Sequence, residues 1–116
     1  MRRLLLCLLL VPLAALALTP EAKEFIDVTA KLEAVQCEKR KLRRALVLAG
    51  VEGREADAKR LRARVAEINA DPETARLEKR LALLAARVLD SRGHARNRED
   101  LDAISLQQRQ AFYRCE

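Results

Sequence analysis

Aromatic side chains are almost missing from this chain of 116 residues, which contains two Phe, one Tyr and no Trp. Its core must therefore be built from aliphatic side chains, and it lacks the aromatic platforms on which single-stranded nucleic acid stacks. Histidine is equally scarce, because His94 is the only one. Since a metal site needs several His, Cys or clustered carboxylate ligands, we expect neither a metal site nor a cofactor.

Long apolar runs are missing after residue 17, but one stands before it. Arginines at positions 2 and 3 precede an apolar run that ends in Ala15-Leu16-Ala17. This order is typical of a Sec-type signal peptide cleaved before Leu18. An uncleaved membrane anchor is the alternative, disfavoured because a spanning helix needs about 20 apolar residues. We expect residues 1–17 to be removed and the single helical domain 18–116 to be periplasmic or secreted, without a transmembrane anchor.

The remaining domain is basic and has two cysteines. Residues 18–116 contain 21 basic and 17 acidic side chains, a formal charge of +4. Without Cys7, the pair Cys37 and Cys115 is an even number in an exported protein, which favours an intramolecular disulfide. Free thiols or an intermolecular bond are the alternatives. The intramolecular bond would close a loop of about 79 residues and stabilise the fold by about 4 kcal/mol.

The pattern after Leu18 predicts helices throughout, because Ala, Leu, Arg, Glu and Lys dominate and no stretch alternates like a strand. Thr19-Pro20-Glu21 supplies a capping hydroxyl, a proline and an acid for the start of the first helix. Gly50 and Gly53 indicate its end or a bend, and a continuous helix is the alternative. Its apolar stripe contains Phe25, Val28, Leu32, Val35, Leu42, Leu46 and Ala49.

Three more helices follow by the same criteria. The second and third meet at Asp71-Pro72-Glu73, which repeats the cap, proline and acid of the first start. The third helix stops at Gly93, and Asn97 is a cap for the fourth after a loop over 91–96. Their apolar stripes contain Ala58, Leu61, Val65 and Ile68; Leu77, Leu81, Leu84 and Val88; and Leu101, Ile104, Gln108 or Ala111, and Phe112.

These helices predict an all-α fold, a small antiparallel bundle of four helices or, alternatively, a long helical hairpin, with one disulfide. In an up-down-up-down order the fourth helix begins level with Gly50 and runs back beside the first. Cys115 then lies about 27 Å beyond Asn97, at roughly 1.5 Å per residue. That distance brings it level with Leu32, little more than one turn from Cys37. The register is compatible with the disulfide.

The densest cluster of charge is basic and lies in the first helix. Residues four apart, such as Arg40 and Arg44, share one face of a helix. A broad basic face could bind an anionic partner: phospholipid head groups, lipopolysaccharide or another envelope polymer, or nucleic acid, which export disfavours. The alternative is a solvated face balanced by acids on neighbouring helices. The candidate binding residues are Lys39, Arg40, Lys41, Arg43 and Arg44.

Two aromatic residues stand beside the second cysteine. Phe112 and Tyr113 precede Cys115 by three and two positions. They either pack as buried bulk beside the disulfide or form an exposed anchor for a partner. The second interpretation requires that Tyr113 be accessible.

Catalytic residues are not indicated. A hydrolase grouping could be drawn from His94, Asp90 and either Ser91 or Ser105. Nothing in the sequence places these residues in a cleft with an oxyanion hole. We therefore interpret His94 as a solvated loop residue and expect the protein not to be an enzyme.

One short segment resembles a known motif. Leu18-Thr19-Pro20-Glu21-Ala22 is similar to the Leu-Thr-x-x-Gln motif of helical periplasmic stress chaperones and metal-stress proteins. Ala22 stands where that motif has Gln, and no second Leu-Thr pair occurs. Because of these departures we assign no family, and we keep a stress-type chaperone that holds unfolded clients as an alternative function.

Taken with the signal peptide, these features favour a small exported, non-enzymatic helical protein that acts as an interaction or structural module of the cell envelope. Its partner would be a protein or an anionic envelope component, and no nucleic acid is expected. The alternatives are the holdase and a binder of anionic envelope surfaces through the basic helix face.

Overall fold

A computed structural model describes residues 18–115, and the predicted signal peptide, residues 1–17, lies outside them. The described residues form four α-helices and no strand apart from an isolated bridge between Leu89 and Ala95. The predicted all-α fold is confirmed. Within 18–115, no helix has the length and apolar character needed to cross a membrane. The helices are α1 (Pro20–Val51), α2 (Glu55–Ala70), α3 (Pro72–Val88) and α4 (Arg98–Arg114).

Side-chain caps start α1, α3 and α4 at the positions that the sequence predicts. The side chains of Thr19, Asp71 and Asn97 each accept a hydrogen bond from the backbone N–H three residues later, at 3.2, 2.9 and 2.8 Å. Each cap satisfies a backbone donor that the helix itself leaves unpaired, which stabilises a helix by about 1 kcal/mol. These residues therefore fix where the three helices begin.

The first helix passes through Gly50 and ends at Val51. Gly53 then takes a left-handed conformation with φ of +68°, which a residue without Cβ adopts at no steric cost. The N–H of Gly53 donates to the Gly50 carbonyl at 3.3 Å, and the N–H of Arg54 donates to the Ala49 carbonyl at 2.9 Å. This Schellman motif closes the helix and reverses the chain. Of the predicted alternatives, which were an end, a bend or a continuous helix, the structure shows an end.

Because α1 has 32 residues and α2 and α3 have 16 and 17, the latter two run in succession along it. Arg64 of α2 donates to Glu38 at 2.8 Å, and Arg80 of α3 donates to Glu24 at 2.6 and 2.7 Å. Residue numbers rise along α2 and α3 while they fall along α1, so both helices are antiparallel to it. This part of the fold is a long helical hairpin whose second half is interrupted at Asp71.

The fourth helix runs parallel to α1, not antiparallel as the up-down-up-down order predicts. Asp100 accepts hydrogen bonds from the backbone N–H and the hydroxyl of Thr19, at 3.1 and 2.7 Å. One heptad further along both helices, the Gln107 amide donates to the Ile26 carbonyl at 2.7 Å. Helix α4 has this direction because α2 and α3 together span the length of α1. The loop after α3 therefore delivers α4 to the beginning of α1.

The core lies between the first half of α1, α3 and α4 and is aliphatic apart from Phe25. Leu32 and Leu84 are its largest fully buried side chains, each 1% exposed. Truncating such a leucine to alanine typically lowers the free energy of unfolding by roughly 2–5 kcal/mol. The buried cluster consists of Ala22, Phe25, Val28, Leu32, Leu77, Leu84, Val88 and Ile104.

Candidate functional site

A disulfide joins the end of α4 to the middle of α1. The Cα atoms of Cys37 and Cys115 are 5.5 Å apart, which lies in the normal range for a disulfide and confirms the predicted pairing. One residue before Cys115, the Arg114 guanidinium donates to both carboxylate oxygens of Glu33, at 2.7 and 3.0 Å. These hydrogen bonds lower the pKa of Glu33, and the nearby charge of Arg40 acts in the same direction. The end of α4 is therefore held by a covalent bond and a bidentate ion pair.

The two aromatic residues of α4 point into solvent. Phe112 and Tyr113 are each 64% exposed, and their rings meet edge to face with centroids 5.7 Å apart. Such a ring pair is stabilising, yet most of its surface remains in water. The two rings are therefore not buried bulk beside the disulfide, and Tyr113 is accessible, as the exposed-anchor interpretation requires. Phe25, by contrast, is buried in the core.

Three arginines of α1 share a groove with Phe112. The groove has a volume of about 620 Å³ and is lined by Arg40, Arg43, Arg44, Phe112 and Cys115. Arg43 donates only a long hydrogen bond, 3.4 Å, to the Lys39 carbonyl. Among residues 18–115, no carboxylate lies within 4.0 Å of these three guanidinium groups. We call Arg40, Arg43, Arg44, Phe112 and Tyr113 the basic–aromatic face.

The two lysines of the predicted cluster do not line the groove that the arginines share with Phe112. Lys39 forms an ion pair with Glu78 of α3 at 2.6 Å, and its side chain is only 16% exposed. It ties two helices together, so we leave it out of the basic–aromatic face. Lys41 lines a second groove, on the other side of the disulfide, together with Glu38 and Arg114. The predicted cluster is thus divided among three environments.

The loop after α3 uses its acidic residue for structure. The Asp90 carboxylate accepts hydrogen bonds from the backbone N–H groups of Arg92 and His94, at 2.8 and 3.1 Å. These two hydrogen bonds lower the pKa of Asp90. Gly93, with φ of +78°, completes the turn, and the third helix ends at Val88, before the Gly93 stop that the sequence predicts. Asp90 therefore shapes the loop, and the His94 side chain is exposed as expected.

Exposed aliphatic residues at the end of α1 were not predicted. Val47, Leu48 and Val51 are 69%, 52% and 81% exposed. Their positions fall outside the apolar stripe that packs inward, and this departure from the 3-4 spacing was the available signal in the sequence. Such a group of exposed aliphatic side chains near a helix end is typical of a binding surface.

The face has the chemistry of a binding site for an anion with an apolar part. Guanidinium groups supply charge-assisted donors, and the adjacent rings supply apolar surface. Within residues 18–115, no group of three or more His, Cys, Asp or Glu side chains is placed to hold a metal ion. Searches against protein-family models, curated proteins and solved structures find no match to this chain.

Proposed function

We propose that the protein is an exported, non-enzymatic interaction module of the cell envelope that binds an anionic partner through the basic–aromatic face. The observation that carries this proposal is the position of the disulfide, which holds the exposed ring of Phe112 beside Arg40, Arg43 and Arg44. A site of this kind binds by charge and apolar contact and needs no bond-breaking chemistry.

Two further features support the proposal. A disulfide fits an oxidising compartment, which agrees with the signal peptide expected at residues 1–17. The rings are also poorly explained by stability alone, because burying them would contribute more than leaving them 64% exposed. A surface that retains exposed aromatic and arginine side chains has the composition of a protein-interface hot spot.

The test is binding to heparin, a soluble polyanion, as a function of salt. Changing Arg40, Arg43 and Arg44 to Gln removes three charges from the face. We expect this triple variant to bind about tenfold more weakly at low salt, because each exposed charge pair contributes up to about 1 kcal/mol. Phe112→Ala should also weaken binding to heparin, but the salt dependence of binding should stay unchanged because no charge is removed.

A charge-matched variant provides the control. Lys23, Lys79 and Arg92 are exposed and lie in no ion pair within the described residues, so changing all three to Gln removes the same charge elsewhere. This control should bind nearly as the natural protein does. Equal weakening in the two triple variants would show that heparin binding depends on net charge alone. The assignment of binding to the basic–aromatic face would then be wrong.

A further inference from the structure

The end of α1 has a stripe in which arginines give way to aliphatic residues, and all of its residues are exposed except Arg40, which is half-buried. At about 100° per residue, its six positions fall within an arc of about 140° on the side opposite to buried Ala49. The stripe is about 16 Å long at roughly 1.5 Å per residue. We call these residues the outer stripe: Arg40, Arg43, Arg44, Val47, Leu48 and Val51.

The net positive charge of the domain is concentrated in the part of the fold that bears this stripe. We call residues 40–70, the end of α1 with α2, the arm. The arm contains nine basic and four acidic residues, a charge of +5, whereas the rest of 18–116 contains twelve basic and thirteen acidic residues, a charge of −1. The acids at its turn are already engaged, since Glu52 and Asp57 both pair with Arg54. The arm therefore presents a strongly positive surface.

The end of the arm is also uncovered. The core cluster draws no residue from α2, and α4 ends at the level of Cys37. A Cβ placed on Gly50 or Gly53 would meet no described atom within 4 Å. Val51, between them, is 81% exposed. The aliphatic residues thus stand on a convex end, not in a groove that could enclose a peptide.

We propose that the outer stripe docks on a lipid bilayer whose surface carries acidic headgroups. Val47, Leu48 and Val51 enter the boundary between headgroups and acyl chains, and the arginines of the stripe lie against the phosphates. Phe112, which lines the groove of these arginines, and Tyr113, whose ring meets that of Phe112 edge to face, reach the same interfacial region, where aromatic rings are favoured. This inference rests on the proposed function and names its partner.

A bilayer fits this geometry better than an acidic polypeptide does. An amphipathic helix bound by a protein needs a complementary hydrophobic groove, whereas an interfacial helix needs only an apolar strip with basic neighbours on its exposed side. The outer stripe has the second form. The charge difference between the arm and the rest of the domain would orient the arm towards an anionic surface before contact.

The experiment is cosedimentation of the oxidised protein with vesicles of phosphatidylcholine alone or mixed with phosphatidylglycerol. We expect binding to the mixed vesicles and little to the neutral ones. The Gln triple variant at Arg40, Arg43 and Arg44 should lower the partition coefficient about 100-fold, because each arginine contributes about fivefold near an anionic surface. Val51→Asn should lower it about tenfold through loss of apolar burial.

Matched variants separate the stripe from general effects. Leu83→Asn removes an aliphatic side chain that is 54% exposed but lies on α3, and it should leave vesicle binding unchanged. An environment-sensitive fluorophore on Leu48→Cys, attached without reduction, should shift to shorter wavelength with mixed vesicles. The same fluorophore on Leu83→Cys should not. Circular dichroism confirms that each variant is folded.

Other outcomes are distinguishable. Arginine-dependent heparin binding without vesicle binding would overturn the bilayer inference and leave the proposed function intact. Arginine-dependent binding to poly-glutamate but not to vesicles would assign the face to an acidic polypeptide and overturn it likewise. Suppression of aggregation of an unfolded test protein, lost in Val51→Asn and without vesicle binding, would assign the stripe to unfolded clients. Loss of arginine dependence with every probe would overturn both proposals.

Discussion

Two glycines three residues apart at the end of α1 have opposite conformational requirements. Gly50 is helical and exposed, with open space where a Cβ would stand, whereas Gly53 needs φ of +68°. We expect Gly50→Ala to raise the free energy of unfolding by about 0.5–1 kcal/mol through better helix propensity. Gly53→Ala should lower it by about 1 kcal/mol, because a Cβ is disfavoured in the left-handed region. Urea unfolding of both variants measures this, and a change of the same sign in both would contradict it.

A buried carboxylate sets the relation between α1 and α4. Asp100 is only 3% exposed and accepts hydrogen bonds from both the N–H and the hydroxyl of Thr19. We expect Asp100→Ala to lower the free energy of unfolding by about 2 kcal/mol, since it leaves those donors without their acceptor. Asp102→Ala, at an exposed position on the same helix, is the control and should change it little. Thermal unfolding of the two variants gives the comparison.

Helix α4 depends on its disulfide more than the other helices do. It contributes Ile104 to the core, while Leu101, Leu106 and Phe112 remain exposed. We expect the Cys37→Ser, Cys115→Ser variant to lose about 4 kcal/mol of stability in the chain-entropy description. Hydrogen exchange should accelerate most in the second half of α4 and least around Leu32 and Leu84. Uniform acceleration in all helices would contradict this view of α4.

The elements also show which features the sequence could predict. The caps at Thr19, Asp71 and Asn97 are local, so residue types and spacing were sufficient to place the helix starts. The direction of α4 is not local. It depends on α1 being twice as long as its neighbours, and the ambiguity at Gly50 and Gly53 left that length open.

The candidate site was only partly predictable, because some of its features are local to α1 and others depend on contacts between helices. The spacing of residues on α1 placed Arg40 and Arg44 on one face, but it could not show that Lys39 would form an ion pair with Glu78 of another helix. Nor could it show that Phe112 would stay exposed. The predicted apolar stripe of α4 assumes a neighbour on the ring's side, and the fold places solvent there. Partners that come from distant segments have no signal in a local pattern.

Across the whole molecule, α1 is joined to each of the other helices by a glutamate–arginine ion pair. Glu38, Glu24 and Glu33 bond to arginines of α2, α3 and α4, and these hydrogen bonds lower the pKa of all three carboxyl groups. A carboxyl group whose pKa is lower in the folded state stabilises the fold above its unfolded pKa of about 4.3. That contribution is lost as the pH falls further, through the folded values.

We therefore expect the urea midpoint to be nearly constant from neutral pH to about pH 5 and to fall on further acidification. Because these groups remain partly exposed to solvent, added salt should reduce the effect. A variant with Gln at Glu24, Glu33 and Glu38 should be less stable at neutral pH and should show a smaller decline in acid. An unchanged pH profile in this variant would mean that other carboxyl groups are responsible.

The parallel register of α1 and α4 also couples the lengths of two distant stretches of chain. Thr19 and Asn97 cap helices that start side by side, and each is 18 residues before its cysteine, Cys37 or Cys115. Inserting one residue into either stretch would turn its cysteine by about 100° and shift it by about 1.5 Å, away from its partner. Insertions and deletions in homologous chains should therefore come as matched pairs, one in each stretch, because even an unmatched heptad, which restores the facing angle, moves the cysteine about 10.5 Å along its helix.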